Sequence, residues 1–144
     1  FDFMSTLGFD LNTNIWKLVW NKIQFSSSPE VANYLSLVMD TCDNHKLNLN
    51  QVESLPEILL SIKENTDDGS WLDGDIFDVQ YQVLKLLGYL SNCEKSESLS
   101  KSIEVWMPNN EIPSDIPNDV RLGYEEGVKI WEKHNLRSTN KEQA

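Results

Sequence analysis

Apolar side chains recur every three or four residues along almost the whole chain, which is the period of an α-helix and not of a strand. The clearest helix start is Ser28, a capping residue followed by Pro29 at the first helical position. Apolar residues then recur at Val31, Tyr34, Leu35, Val38, Met39 and Cys42. Since no run of alternating strands is visible, we predict an all-α, single-domain bundle of five or six helices.

The periodic segments also set the domain plan, and 144 residues fit one ordinary domain. A first helix is predicted over 13–24, and a capping box at 54–57 starts a third. The helix after Asp73 or Asp75, either of which can cap it, carries enough apolar residues to be the central one. We predict an N-terminal arm over 1–12, a helical domain over 13–136 and a flexible C-terminal tail over 137–144.

Two details concern the C-terminal half. Leu99, Ile103 and Trp106 fit a helix, whereas the stretch from Ser102 to Trp106 alternates like a short strand; helix is favoured over 94–106. A last helix is predicted to begin at Asn118 and to end at Asn135 in a left-handed cap, with His134 near that end.

Gly123 and Gly127 lie one turn apart inside the predicted last helix. Each glycine costs up to about 1 kcal/mol relative to alanine in a helix interior, so a packing reason is expected. We predict that another helix crosses closely at this point.

The chain is strongly acidic: 23 Asp and Glu face 12 Lys and Arg, for a net charge of −11. Nucleic acid and anionic membrane surfaces require clustered basic residues, and here two arginines and ten lysines are scattered. We therefore expect no nucleic-acid or membrane partner. With only two cysteines and no apolar run near the length of a membrane span, a cytoplasmic location is expected.

Signals for catalysis or metal binding are weak. Cys42 and His45 lie one helical turn apart and could face one metal ion, but Cys42 also continues an apolar stripe, and Cys93 and His134 stand alone. The acidic run from Asp67 to Asp78 fits no register of a calcium-binding EF-hand loop. No nucleophile, zinc-protease or phosphate-loop motif occurs. We expect no cofactor and no enzyme; a carboxylate-based metal-dependent hydrolase is the enzymatic alternative.

The acidic residues concentrate in two stretches. Residues 64–78 hold six carboxylates and no basic residue, and residues 102–120 hold four more carboxylates, again with no basic residue. Trp71 lies between two Asp-Gly turns and is either packed onto the core or presented to a partner. The predicted partner-binding residues are Asp67, Asp68, Trp71, Asp73, Asp75, Asp78, Glu104, Trp106, Glu111, Asp115 and Asp119.

In size, acidity and lack of catalytic motifs over its whole length, the chain resembles bacterial toxin-immunity proteins of the contact-dependent inhibition type. The resemblance implies an inhibitor that masks a basic protein, such as a nuclease toxin, by occupying its surface. The alternative is a helical adaptor or scaffold domain that binds a peptide or partner helix in a groove.

Overall fold

The chain forms six α-helices and no strand in the part that the computed structural model describes, namely residues 14–25, 28–45, 47–67, 69 and 71–143. The helices are α1 (Asn14–Phe25), α2 (Ser28–Asn44), α3 (Leu55–Asp67), α4 (Asp73–Leu90), α5 (Glu97–Trp106) and α6 (Asn118–Gln143). Two short 3-10 helices cover Leu49–Gln51 and Pro108–Asn110. The predicted all-α bundle is confirmed, and the predicted arm over 1–12 lies outside the described residues.

The segment 94–106, for which the sequence allowed either a helix or a strand, contains helix α5. The backbone N–H of Leu99 donates to Ser96 Oγ at 3.1 Å, so Ser96 caps the helix in the usual way. One face of α5 is buried in the core, and it consists of Leu99, Ser102 and Trp106. The helical alternative is therefore the right one over Glu97–Trp106.

Three local predictions are wrong. Neither Asp73 nor Asp75 caps α4, because the cap position is Leu72, whose carbonyl accepts a hydrogen bond from the Ile76 N–H at 2.9 Å. Helix α6 does not end at Asn135, since its backbone continues to Gln143 and includes most of the predicted tail. His134 consequently does not lie at the end of its own helix.

Helix α4 is the centre of the bundle, as its apolar content predicts. Every residue from Val83 to Leu90 except Lys85 is buried, and the helix packs chiefly against α6 and α2. The second half of α4 is therefore apolar on nearly every side, and such a segment has to be covered by other elements. The remaining helices place one buried stripe each against this core, with Trp20, Leu35, Ile58 and Ile62 among its fully covered side chains.

Helices α4 and α6 approach to backbone contact, which confirms the predicted close crossing. A Cβ added to Gly123 would lie 2.5 Å from the carbonyl oxygen of Tyr81, and one added to Gly127 would overlap the carbonyl oxygen of Lys85. Gly88, which the sequence analysis did not single out, faces the carbonyl of Tyr124 in the same manner. Only glycine permits backbones this close, because any side chain would occupy the space of the opposing carbonyl.

Side-chain contacts also join the outer helices to their neighbours. The indole N–H of Trp106 at the end of α5 donates to the carbonyl of Leu59 in α3 at 2.9 Å. From α6, Lys133 Nζ donates to the Asp43 carbonyl at 2.9 Å and pairs with the Asp43 carboxylate at 3.1 Å. His134 Nε2 lies 3.1 Å from the same Asp43 carbonyl. These two side chains therefore contact the C-terminal turn of α2, where exposed carbonyls favour cationic or donor groups.

Candidate functional site

The two acidic stretches meet at one end of the bundle because α4 and α6 run parallel. Tyr81 lies beside Gly123 and Lys85 lies beside Gly127, so residue numbers rise in the same direction along both helices. Extending this register places Asp78 level with Val120, in the first turn of α6. Helix α3 ends at Asp67, just before the start of α4. We call the described residues of 64–78, together with 111–120, the acidic end.

The described carboxylates of the acidic end are mostly open to solvent. Asp78, Glu111, Asp115 and Asp119 are exposed, whereas Asp75 is half-buried and has an interaction partner. The side chains of the predicted site residues Asp68 and Asp73 lie outside the described part of the chain. With Glu64 and Asp67, which are also exposed, six described carboxylates are thus available for contact with another molecule.

Asp67 differs from the other predicted site residues because its charge is partly compensated within the chain. Lys63 Nζ, one turn earlier on α3, pairs with Asp67 Oδ1 at 3.2 Å. The Asp67 side chain is 62% exposed, so this pair is a surface ion pair of small energetic value. Asp67 therefore contributes less uncompensated charge to the acidic end than Asp78 or Asp119.

The segment before α6 is held firmly in place. Arg121 turns its guanidinium back onto this segment and donates from one nitrogen to the carbonyls of Pro113 at 3.0 Å and Ile112 at 3.4 Å. Met107 and Ile116 are buried beneath it. A binding segment ordered in advance loses less conformational entropy when it meets a partner.

Backbone strain marks the start of the same segment. Asn109 has φ of 59° and Asn110 has φ of 61°, so two consecutive non-glycine residues adopt the left-handed region. Asparagine tolerates this conformation better than most residues, but two in succession are uncommon. A cleft of about 680 Å³ opens beside the strained turn and is lined by Met107, Asn110, Glu111, Ile112, Ser114, Ile116, Asn118, Arg121 and Tyr124.

The two tryptophans of the predicted site differ in how far they are covered. Trp106 is 1% exposed and its indole N–H is used within the core, so the prediction that it contacts a partner is wrong. Trp71 is half-buried and packs against the core cluster, which leaves only part of its ring accessible. Glu104 is exposed and lines a second cleft with Lys95 and Asn109, which shares Asn110 with the cleft beside the strained turn.

Two apolar residues that the sequence analysis did not single out are presented at the acidic end instead. Leu72, just before α4, is 76% exposed, and Phe77, in the second turn, is 41% exposed. Their only signal in the sequence is their position within the acidic stretch 64–78. Protein interfaces place apolar side chains at their centre and polar groups at their rim, and these two residues with the carboxylates near them have that combination.

No protein-family model, no curated protein and no solved structure matches the chain. The interpretation of the acidic end consequently depends on its own geometry and charge. Within the described residues, no helix combines the length and apolarity that crossing a bilayer requires.

The two cysteines differ in burial, since Cys93 is only half-buried. Cys42 is fully buried, and burial raises the pKa of its thiol well above the usual range, with Cys93 and Asp43 adding to the effect. The two cysteines are not joined by a disulfide. Over the described ranges, no three His, Cys, Asp or Glu side chains converge to hold a metal ion.

Proposed function

We propose that the chain is an acidic binding protein that inhibits a basic protein by occupying its surface, in the manner of an immunity protein that masks a nuclease-type toxin. The observation that carries the proposal is the parallel pairing of α4 and α6, which gathers two separate acidic stretches at one end. Asp78, Asp115 and Asp119 are exposed there, and residues 64–78 and 102–120 contain no basic residue.

The physical basis is electrostatic complementarity. Carboxylates gathered on one surface attract a cationic protein over roughly the Debye length, about 8 Å at physiological ionic strength. Such steering raises association rates by about tenfold or more and weakens as salt is added. Once docked, the carboxylates pair with the lysines and arginines that the partner needs for its own anionic ligand, so binding alone inhibits it.

The experiment compares two variants of equal net charge. One replaces Asp78, Asp115 and Asp119 with Asn at the acidic end. Its control replaces Asp40 with Asn, and Glu94 and Glu132 with Gln; all three are exposed and lie toward the opposite end of the bundle. Glu132 is thirteen residues beyond Asp119 on α6, about 20 Å along the helix axis.

A basic partner is first captured from cell extract at low salt and identified, and its association with each variant is then measured at several salt concentrations. We expect the acidic-end variant to associate about tenfold more slowly and to show a flatter salt dependence, while the control variant behaves like the wild type. If both variants associated more slowly by the same factor, net charge alone would explain the effect, and a localised binding surface would be refuted. A partner enzyme that stays active when saturated would refute inhibition.

The cleft beside the strained turn favours a second candidate function, the helical adaptor. Its lining combines apolar side chains, Met107, Ile112 and Ile116, with polar groups from Asn118 and Tyr124. A peptide bound there would depend on apolar contact and would be released little by salt. Binding that is insensitive to salt, and that Ile112→Asp abolishes, would favour the adaptor over the inhibitor.

A further inference from the structure

We infer that the acidic end recognises a cationic amphipathic segment, in which an apolar side chain is flanked by lysine or arginine, and that Leu72 and Phe77 are its apolar anchors. This inference rests on the proposed function and specifies the chemistry of the partner. It assigns separate roles to the carboxylates and to the two apolar residues.

The position of the two residues carries the inference. Leu72 is the cap residue of α4 and Phe77 follows five residues later, about 7 to 8 Å along the axis and about 140° around it, so the two are separate contact points at this end of the helix. Both are exposed, as are Gly74 and Asp78 beside them, and both lie within the basic-free stretch 64–78. The other large exposed apolar side chains of the described residues are spread singly over the remaining five helices. They are Leu18, Leu37, Leu60, Val105 and Leu122.

The charge of the acidic end indicates which kind of partner could cover the exposed Leu72 and Phe77. A second copy of the chain joined through this surface would bring like charges together, which is unfavourable across an interface. An anionic membrane surface would be repelled for the same reason. A segment with both apolar and cationic side chains could pack its apolar residues on Leu72 and Phe77. Its lysines or arginines could then pair with the carboxylates of Asp78 and Asp119.

The division of roles follows from the range of each interaction. Carboxylates act over several ångströms and chiefly set the rate of association, whereas apolar contact forms only after docking and chiefly sets the rate of dissociation. Truncating an apolar anchor should therefore shorten the lifetime of the complex and leave the association rate nearly unchanged.

The test uses the full chain and two labelled probe peptides of about 18 residues, long enough for an amphipathic helix. One alternates leucine and lysine at helical spacing; the other keeps every lysine and replaces each leucine with serine, so that the two carry equal charge. Affinities are measured by fluorescence anisotropy for the wild type, Leu72→Ala, Phe77→Ala and the matched control Leu37→Ala, which removes a leucine that is 49% exposed on α2. Circular dichroism checks that each variant is folded.

We expect the leucine–lysine peptide to bind the wild type more tightly than the serine–lysine peptide. Leu72→Ala and Phe77→Ala should each weaken its binding about tenfold, a larger loss than most interface residues show when they are truncated. Leu37→Ala should bind like the wild type. Wild-type affinity in both Leu72→Ala and Phe77→Ala, or an equal loss in Leu37→Ala, would overturn the inference.

The serine–lysine peptide distinguishes failure of the proposed function from failure of the apolar anchors alone. If the serine–lysine peptide binds the Asp78, Asp115 and Asp119 variant as tightly as the wild type at low salt, the acidic end does not attract cations and both proposals fail. If that variant binds it more weakly while the two alanine variants behave like the wild type, only the apolar anchors are wrong.

Discussion

Gly127 lies directly against the backbone carbonyl of Lys85: an added Cβ would overlap that oxygen and would lie 2.8 Å from the amide nitrogen of Tyr89. The obstructing atoms are backbone atoms, which cannot move aside by a change of rotamer. Together with the contacts of Gly123 and Gly88, this approach fixes the parallel pairing of α4 and α6. The position of the acidic end therefore depends on residues that carry no charge.

Gly127→Ala should destabilise the fold. Alanine is the better helix former by about 1 kcal/mol, but overpacking against a backbone carbonyl typically costs about 1 to 3 kcal/mol and more where nothing can yield. We expect a net loss of about 2 kcal/mol in the free energy of unfolding, measured by urea denaturation. In the control Gly74→Ala, the new methyl group meets nothing within 4 Å, so stability should be unchanged or slightly higher. Equal stability of the two variants would contradict the backbone contact.

Tyr89→Phe removes a hydroxyl that joins α4 to the segment after α2. The Tyr89 hydroxyl donates to the carbonyl of Leu47 at 2.6 Å and accepts from its N–H at 3.3 Å. Both groups of Leu47 would then be buried without these partners, and we expect a loss of about 2 to 3 kcal/mol in urea denaturation. Tyr34→Phe, at a half-buried tyrosine on α2, serves as the control and should change stability by less than about 0.5 kcal/mol.

Trp106→Phe tests the assignment of this residue to the core. The variant loses the indole N–H that donates to Leu59 and part of a buried ring, so the free energy of unfolding should fall by about 1 to 3 kcal/mol. Association with a basic partner should be unchanged below the melting temperature. Stability equal to the wild type together with slower association would restore Trp106 as a partner contact.

The sequence predicts the helices well because their apolar spacing is a local property. The segment starting at Ser28, the central position of α4 and the close contact at Gly123 and Gly127 all follow from residues near one another in the chain. The end of α6 was mispredicted at Asn135, because a left-handed cap is only one of the conformations open to asparagine.

The candidate site was only partly predictable, since exposure and helix direction depend on distant parts of the chain. The acidic stretches are visible in the sequence, but their meeting at one end requires the parallel direction of α4 and α6. Trp106 has the composition of an interface residue, yet a hydrogen bond to Leu59, 47 positions earlier, places it in the core. Leu72 and Phe77 have the apolar character of core residues, and only the structure shows them exposed.

The thiol of Cys42 gives the fold a defined response to alkaline pH. The side chain is fully buried in α2, and burial raises the pKa of this thiol above its ordinary value of 9.0, because the thiolate would lose its hydration. The neighbouring Cys93 and Asp43 raise the pKa further through their negative charge. In the unfolded chain the same thiol ionises at its ordinary pKa.

The contribution of Cys42 to stability should accordingly be constant below about pH 8 and should fall as pH rises past about 9, where the unfolded chain releases a proton that the folded chain retains. The loss approaches about 1.4 kcal/mol per pH unit for this one group. Urea denaturation of the wild type and Cys42→Ala between about pH 7 and 10 measures it. Cys42→Ala should be less stable at neutral pH because of the cavity, but its stability should fall less steeply above pH 9. Parallel curves for the two proteins would mean that other groups, not Cys42, cause the alkaline loss.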